Sequence, residues 1–425
     1  MNLLEKLRLN LDTSIAKIKQ NMAISSRNNL LQGTLAKSPI SNLVDLIIDY
    51  AMRMNASDIH LEPQENCLRI RFRIDGVLLF IHNVPLILQN QLISYLKLTA
   101  GMDISEKRIP QDGNILYTQK HLDIRVSVIP TLFGEKMVMR LLISDSKILS
   151  LTQMGFSEHN FKLFKSLIKS SSGIITITGP VNSGKSTLLY SVLNYLNSES
   201  VNIVTIEDPI EMKIAGINQM QVNLKAGMDF TKGLRAVLRQ DPDIVMIGEI
   251  RDEYSAQEAM RTALTGHLVF TTLHTANAVG AVARLLDMKI PPSMLSIALS
   301  GSTAQRLVRR ICPKCKESYI PQENSLEAFL LGDKFYSGIK LFRGVGCAFC
   351  NNSGYAGRSA VHEIMKVDDT IRTFIAKGEV NLKLKRFLHL KGMKTLLDDC
   401  REKVLNGTTT AQEVWRVING VYKFK

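Results

Sequence analysis

The sequence predicts an α/β protein: a smaller mixed α/β domain followed by a larger one with a parallel sheet, the latter carrying a four-cysteine insertion. Four observations predict it. Leu68, Ile70, Phe72 and Ile74 alternate with Arg69, Arg71 and Arg73, the period of a half-buried strand. Ile174 to Thr178 is a buried-strand run that leads through a glycine-bearing turn into Leu188, Leu189, Val192, Leu193 and Leu196 at helical spacing. Strand and helix patterns then alternate toward the end of the chain. Four of the six cysteines sit as two CxxC pairs.

The 425 residues suffice for two or three domains and a sizeable core. With 45% apolar and 22% charged residues, the composition excludes a largely disordered chain, and 12 prolines exclude a Pro-rich linker protein. The net charge of +14 favours an anionic partner, whether nucleic acid, acidic lipid, nucleotide phosphate or an acidic protein face. The most apolar stretch, Val77 to Ala100, is broken by His82, Asn83, Pro85, Gln89, Asn90, Gln91 and Lys97, so no bilayer span is expected. Glu5, Lys6, Arg8 and Asp12 interrupt the N-terminus and exclude a signal-peptide core. A cytosolic chain is expected, and six cysteines are too few for a disulfide scaffold.

Residues 1–38 read as a leader helix and linker. Leu4, Leu7, Leu11, Ile15, Ile18 and Met22 share one helical face, and Lys6, Arg8, Lys17 and Lys19 make the rest basic. Such a helix either packs on its own domain or docks on a partner or an anionic membrane surface. Ser25, Ser26, Asn28, Asn29 and Gly33 read as the linker. Residues 39–146 read as the mixed domain. Ser41 is expected to cap a helix whose inner face is Leu43, Val44, Ile47, Ile48 and Ala51. Asp75-Gly76 marks a hairpin turn, Leu122, Ile124, Val126 and Val128 a second alternating strand, and Met137 to Leu142 a third. Residues 147–425 form the parallel-sheet domain, with the cysteine insertion at 308–360 and a helical tail at 366–425.

Gly179-Pro180-Val181-Asn182-Ser183-Gly184-Lys185-Ser186-Thr187 follows the 174–178 strand directly and opens a helix. This is GxxxxGK[ST] in strand–loop–helix context. Glycine allows the turn to curl until successive N–H groups face a phosphate, and the helix start adds its dipole. The pattern assigns Lys185 to the β and γ phosphates and Ser186 to Mg²⁺. Asp243 to Glu249 is a second buried strand ending in an acid, and Ile203 to Ile206 a third, followed by Glu207-Asp208-Pro209-Ile210-Glu211. Glu207 and Glu249 are alternative candidates for positioning an attacking water, and sequence physics does not choose between them. His267 and His274 flank Leu268 to Leu273; seven residues apart on a strand they face opposite sides, which makes them poor partners for one metal.

Cys312-Pro-Lys-Cys315 and Cys347-Ala-Phe-Cys350 match the two knuckles of a structural four-cysteine zinc site, against the alternative of free thiols or a redox pair. Lys314, Lys316 and Arg343 favour the thiolate form. Four protein ligands leave no open position for catalysis. Cys67 and Cys400 are expected in the core.

Ala56-Ser-Asp-Ile-His-Leu-Glu-Pro63, Arg71 to Gly76, Arg108-Ile-Pro-Gln-Asp-Gly113, Asp123 to Ser127 and Gly134-Glu135 resemble the N-terminal domain of type II secretion and type IV pilus assembly ATPases. So do the P-loop, Thr205 to Glu211, Leu238 to Asp252, Thr265 to His274 and Ala304 to Leu307 in the second domain. The resemblance covers residues 40–425. It implies a RecA-like motor domain in a hexameric ring beneath the inner membrane, using ATP, Mg²⁺ and Zn²⁺. Glu207 would then be the catalytic carboxylate and Glu249 would act at Mg²⁺. His267 and His274 would sense or contact the phosphates. Arg125 and Arg140, with Arg108 a weaker candidate, would stand against the γ-phosphate. The implied partners are further copies of the chain, an inner-membrane platform protein and a cytoplasmic adaptor, with peripheral membrane association and no specific nucleic acid. The zinc-binding cysteine insertion resembles the assembly branch rather than retraction motors. A retraction motor and a nucleic-acid-dependent motor stand as alternatives. Three departures from the family pattern stand out: a short leader where a docking domain is usual, Tyr254 where a Glu is common, and Asn114 where an Arg is common.

Overall fold

The computed structural model describes residues 3–25, 38–117, 122–143, 148–380 and 382–419. The chain divides into two units, Met1–Ser146 with Val345–Ala356, and Lys147–Gly344 with Gly357–Lys425.

The first unit contains α1 (Leu3–Ser25), α2 (Pro39–Arg53), β1 (Ala56–Pro63), β2 (Cys67–Ile74), β3 (Val77–Pro85), α3 (Leu86–Thr99), β4 (Gln111–Tyr117), β5 (Leu122–Thr131) and β6 (Gly134–Ile143). The six strands form an antiparallel sheet in the order β3-β2-β1-β6-β5-β4. Alternation decides its faces. Leu68, Ile70 and Phe72 join Ile59, Leu61, Ile124, Val126, Met137 and Met139 in the buried cluster, while the arginines between them lie on the other face. Asp75 (φ 48°) and Gly76 (φ 82°) form the two-residue β2–β3 turn; two left-handed residues match the strand twist, which is why Asp-Gly stands there.

The leader packs on its own unit. Leu4, Leu7, Leu11, Ile15 and Ile18 lie in the same cluster as Leu43, Val44, Ile47, Ile48 and Ala51. Arg8 donates to the carbonyls of Ile81 (2.9 Å) and Phe80 (3.0 Å). Ser25 closes the helix; Ser26, Asn28, Asn29, Gly33 and the Met22 side chain lie outside the described residues. The cap of α2 is Ser38, not Ser41: its Oγ accepts from the Ser41 N–H at 3.1 Å, and Ser41 is buried inside the first turn. Pro39, with φ already helical and no N–H to satisfy, starts the helix three residues earlier than a cap at Ser41 would.

In the second unit α4 (Glu158–Leu167), β7 (Gly173–Thr178), α5 (Lys185–Leu196), β8 (Ile203–Glu207), β9 (Asn218–Gln221), α6 (Phe230–Val237), β10 (Ile244–Ile247), α7 (Glu253–Leu264), β11 (Leu268–Leu273), α8 (Ala278–Asp287), α9 (Pro292–Ala298) and β12 (Leu299–Ile311) build the sheet and its cover. The insertion follows as β13 (Lys316–Tyr319), α10 (Leu326–Leu331) and β14 (Leu341–Gly344), then β15 (Tyr355–Lys366) returns to the sheet. The tail is α11 (Asp369–Ala376), α12 (Leu382–Leu390), α13 (Leu396–Leu405) and α14 (Ala411–Ile418). The sheet order is β15-β12-β7-β11-β10-β8-β9, and the pairs from β12 to β9 are parallel.

Both faces of this sheet are covered. Ile174, Val204, Ile206, Val245 and Val269 enter one buried cluster, and Ile175, Ile177, Ile203, Met246 and Phe270 the other. That explains the nearly unbroken apolar runs of β7 and β10: a strand buried on both sides has no polar face to display. Cys400 is fully buried on α13, as expected, whereas Cys67 is only half-buried because it opens β2 beside a turn.

Glu62 on β1 is buried yet ionised. Arg71 holds both its oxygens (2.6 and 2.8 Å) and Arg69 Nε donates at 3.0 Å. Burial pushes the carboxyl up; Arg71 and then Arg69 outweigh it and hold it at about 2, below the ordinary 4.5. A carboxylate favoured by folding contributes fully above about pH 4.5 and less as pH falls toward 2. Glu62→Gln is therefore expected to lower the thermal midpoint near neutral pH and to lose that effect progressively in acid. A midpoint difference that persists undiminished to about pH 2 would contradict this ion pairing.

Candidate nucleotide site and metal centre

The turn between β7 and α5 is shaped by close backbone approach. Gly184, at φ 83°, caps α5, and a Cβ there would meet Gln305 Nε2 at 2.7 Å. A Cβ on Gly179 would stand 2.4 Å from Ser183 Oγ and 2.6 Å from the Gln305 carbonyl. Lys185 folds back and donates to the carbonyls of Gly179 and Pro180, 2.9 Å each. Burial lowers its ammonium to about 8; Glu249 opposes this, Arg306 adds to it, and Glu211 opposes it. Val181 and Asn182 are exposed, and Ser186 and Thr187 are half-buried in the first turn of α5. Ser183 Oγ is buried with no hydrogen-bond partner among the described residues. An orphaned hydroxyl, the first N–H groups of a helix and a partly desolvated ammonium together form a donor-rich turn short of acceptors. Phosphate oxygens supply such acceptors, so these residues fit a nucleotide.

Parallel pairing brings the carboxyl ends of β8, β10 and β11 to the same edge as this turn. Glu207, the last residue of β8, is buried at 4% exposure. Thr205 Oγ1 (2.6 Å) and Gln219 Nε2 (3.0 Å) donate to one of its oxygens and the Tyr190 hydroxyl to the other. Burial, and next the Glu207 charge, push the Tyr190 hydroxyl pKa upward, so the phenol stays a donor. Glu249 lies two residues beyond β10 and is half-buried. Arg251 donates to it, and His274 Nε2 stands 3.4 Å from its other oxygen. Arg251 also reaches Asp208 at 3.4 Å, so the strand ends are linked by charge.

His274 therefore comes to the loop edge, and His267 does not. His267 precedes β11, where its Nδ1 stands 3.1 Å from both Thr265 Oγ1 and the Thr262 carbonyl. Seven extended residues separate the two rings by roughly 23 Å. Within this chain His267 lies at the end of β11 away from the phosphate turn, because a rigid strand lies between.

Arg125 and Arg140 are direct cross-strand partners on β5 and β6 of the first unit. Asp58 accepts from Arg140 Nε at 3.1 Å and lies 3.6 Å from Arg73 Nε. Asn114 sits opposite Arg125 on β4, so a polar row crosses five strands. Arg108 is exposed and paired with Glu106 at 2.7 Å.

The four knuckle cysteines come together, all ligand atoms lying within 4.8 Å of one another. Cys347 Sγ and Cys350 Sγ are 3.7 Å apart. Two metal–sulfur bonds of about 2.3 Å at a tetrahedral angle span about 3.8 Å. The N–H groups of Cys347 and Gly354 both donate to Cys350 Sγ at 3.3 Å, which stabilises a thiolate. The thiols fit a structural zinc.

Sequence reading missed Tyr190, which sits on α5 as one member of an apolar-looking helix, and Gln219, on a four-residue strand without a pattern. Gln305 lies inside a motif without a signal of its own, and His362 has none. No local spacing signals these contacts.

A parallel sheet with a donor-rich strand–loop–helix turn and acids at the neighbouring strand ends defines a P-loop nucleotide hydrolase. The chain belongs to the type II/IV secretion system protein family, whose model matches residues 34–416. It is 47% identical over 382 residues to type II secretion system protein E of Dickeya dadantii, covering 89% of this chain and 76% of that protein. It is 45% identical to the type IV pilus assembly ATPase PilB of Thermus thermophilus, again over 89% of this chain but 43% of that longer protein. A putative type II secretion system protein E of Escherichia coli is 42% identical over 97% of this chain and 83% of its own length. Among solved structures, the pilus retraction motor PilT with bound ADP superposes with a TM-score of 0.58 at 25% identity, over 87% of this chain and 95% of that one. The Legionella pneumophila ATPase DotB gives 0.66 at 21%, over 92% and 100%. The protein is an ATP hydrolase of this family.

Two outcomes follow from the geometry. A loop lysine that loses its proton near pH 8 must regain it to pair with a phosphate, so ATP affinity is expected to hold below about pH 8 and weaken above it. Isothermal titration across that range checks this, and a flat profile to about pH 9.5 would contradict it. Elemental analysis of unchelated protein is expected to give one zinc per chain, lost in Cys315→Ser; a zinc-free wild type would remove the metal centre.

Proposed function

We propose that the chain powers assembly of a type IV pilus or a type II secretion pseudopilus, working as a cytoplasmic homo-hexamer through an inner-membrane platform protein and an adaptor. The observation that carries this reading is the 45–47% identity, across 382 residues, to proteins named for secretion and pilus assembly. The retraction motor is 25% identical. The four-thiol cluster supports the same direction, since the assembly branch is the one the insertion resembles. Among the described residues no helix is long and apolar enough to cross a membrane, which fits a peripheral motor acting through a platform.

In this reading the turn from Gly179 to Thr187 would hold the triphosphate, Lys185 would pair with the β and γ phosphates, and Ser186 would hold Mg²⁺. Mg²⁺ would neutralise charge that develops between those phosphates. Glu249, whose carboxylate is the more open and whose charge already acts on Lys185, serves the metal and its water. Glu207 is the catalytic carboxylate, held in line by Tyr190, Thr205 and Gln219, and orients the water that attacks the γ-phosphorus as the bridging oxygen leaves with ADP. His274 holds Glu249 from the far side. Arg125 and Arg140 are proposed from the family resemblance to neutralise the transferring phosphoryl group, with Asp58 orienting Arg140.

Lys185→Ala is expected to abolish nucleotide binding. Glu207→Gln and Glu249→Gln are expected to bind ATP but turn it over about a hundredfold or more slowly, measured by phosphate release. Arg125→Ala and Arg140→Ala should likewise bind and hydrolyse slowly. Wild-type turnover in the carboxylate variants would sink the assignment. Direction is tested in cells: a deletion strain lacking surface filaments supports assembly, and one with excess filaments supports retraction. Strong stimulation of hydrolysis by single-stranded DNA would replace both with a nucleic-acid motor.

A further inference from the structure

Behind the phosphate turn a buried polar chain runs from β12 to β15. Gln305, fully buried, donates from Nε2 to the Ser183 carbonyl at 2.8 Å, and its Oε1 lies 3.0 Å from His362 Nε2. His362 is also fully buried. Phe156 stacks on its ring at 3.8 Å between centroids with the planes 15° apart. Its backbone is held from both sides: Asn160 donates to its carbonyl at 3.1 Å, and its N–H donates to Asp399 at 3.0 Å.

Hydrogen-bond chemistry fixes the protons. A carbonyl oxygen only accepts, so the amide nitrogen of Gln305 must face Ser183 and its oxygen must face the imidazole. His362 therefore carries its proton on Nε2, leaving Nδ1 bare. That nitrogen is buried with no partner among the described residues. Burial, aided by the Lys403 charge, keeps the ring neutral, which suits a single tautomer.

The peptide between Ser183 and Gly184 is planar and trans, so its C=O and N–H point in opposite directions. Tying the carbonyl to Gln305 turns the Gly184 N–H away from β12. Among the described residues that N–H makes no hydrogen bond. A flipped Gln305 amide would set two oxygens against each other and release the peptide. The His362 Nε2–H, which accepts no donor, opposes that flip.

We infer that Gln305 and His362 are positioning residues for nucleotide binding: the Nε2–H imidazole fixes the Gln305 amide, and that amide holds the Ser183–Gly184 peptide with its N–H presented to a phosphate oxygen. This rests on the reading that the turn holds ATP. The pair touches no phosphate, so its effect falls on affinity more than on the chemical step.

The test is binding of a fluorescent ATP analogue (mant-ATP) together with steady-state turnover. Gln305→Leu and His362→Phe, which keeps the aromatic stack, are expected to raise Kd and KM roughly tenfold with kcat within about threefold of wild type. The double variant should bind no more weakly than Gln305→Leu alone, since His362 acts through Gln305. His362→Gln, which restores an N–H donor at similar reach, should recover most of the loss. The inference is overturned if the two substitutions multiply, if His362→Gln binds as weakly as His362→Phe, or if kcat collapses while KM holds. Should His362→Phe fail to fold, a raised Kd in Gln305→Leu with a near-wild-type Kd in His362→Gln sustains the inference, and a wild-type Kd in Gln305→Leu or a Kd in His362→Gln as high as in Gln305→Leu overturns it. Lys185→Ala separates the two levels: undiminished mant-ATP binding there would remove the nucleotide reading itself, whereas its loss alongside unaltered binding in Gln305→Leu would remove only the positioning role.

Discussion

Lys185 is the side chain on which the site depends. It is drawn back across the turn onto the carbonyls of Gly179 and Pro180, where burial makes its charge costly. That arrangement needs a turn with almost no side-chain bulk at its two ends, and Gly179 and Gly184 meet the requirement by lying against Ser183 and Gln305 where a Cβ would collide. The turn in turn needs β7 in the middle of a parallel sheet, because only parallel neighbours deliver Glu207, Glu249 and His274 to one edge. A ligand with negatively charged oxygens relieves the cost at the lysine and gives Ser183 Oγ a partner.

Three other buried charges are met by ions of opposite sign. Lys97 is met by Glu135 at 2.7 Å and by the Glu106 carbonyl at 2.6 Å. Glu413 accepts from Arg309 and Arg416, and Glu62 from Arg69 and Arg71. Each is a buried ion neutralised by side chains of its own unit, the arrangement expected where charge serves architecture. Lys185 is buried against carbonyl dipoles, with Glu249 and Glu211 acting on it only through their fields. With Ser183 Oγ left unbonded beside it, the turn is short of acceptors that a ligand's oxygens would supply.

Much of the site was legible because the chemistry is local in sequence. The β7–α5 turn, the acids after β8 and β10, and the two cysteine pairs each occupy a short window whose residue types dictate what they hold. The separation of His267 from His274 was less legible, because a motif reads as a unit while the strand between them puts the two rings at opposite edges. Ser41 misled because apolar periodicity marks a helix face but not its first residue; Pro39 and the Ser38 hydroxyl set that. Tyr190, Gln219, Gln305 and His362 carried no readable signal, since their partners lie on other strands and helices.

By itself the sequence determined which segments are strands buried on one face or on both, where a phosphate-binding turn must sit, and that four thiols form one set. Those properties depend on residues a few positions apart, whose spacing the backbone converts directly into shared faces and converging donors. Tertiary structure alone decided that the leader covers its own sheet, that Glu207 is buried among three donors while Glu249 stays partly exposed, and that His362 reaches the phosphate turn through Gln305. These depend on strand order, and strand order is set by how two sheets bury their apolar faces against helices contributed from distant parts of the chain.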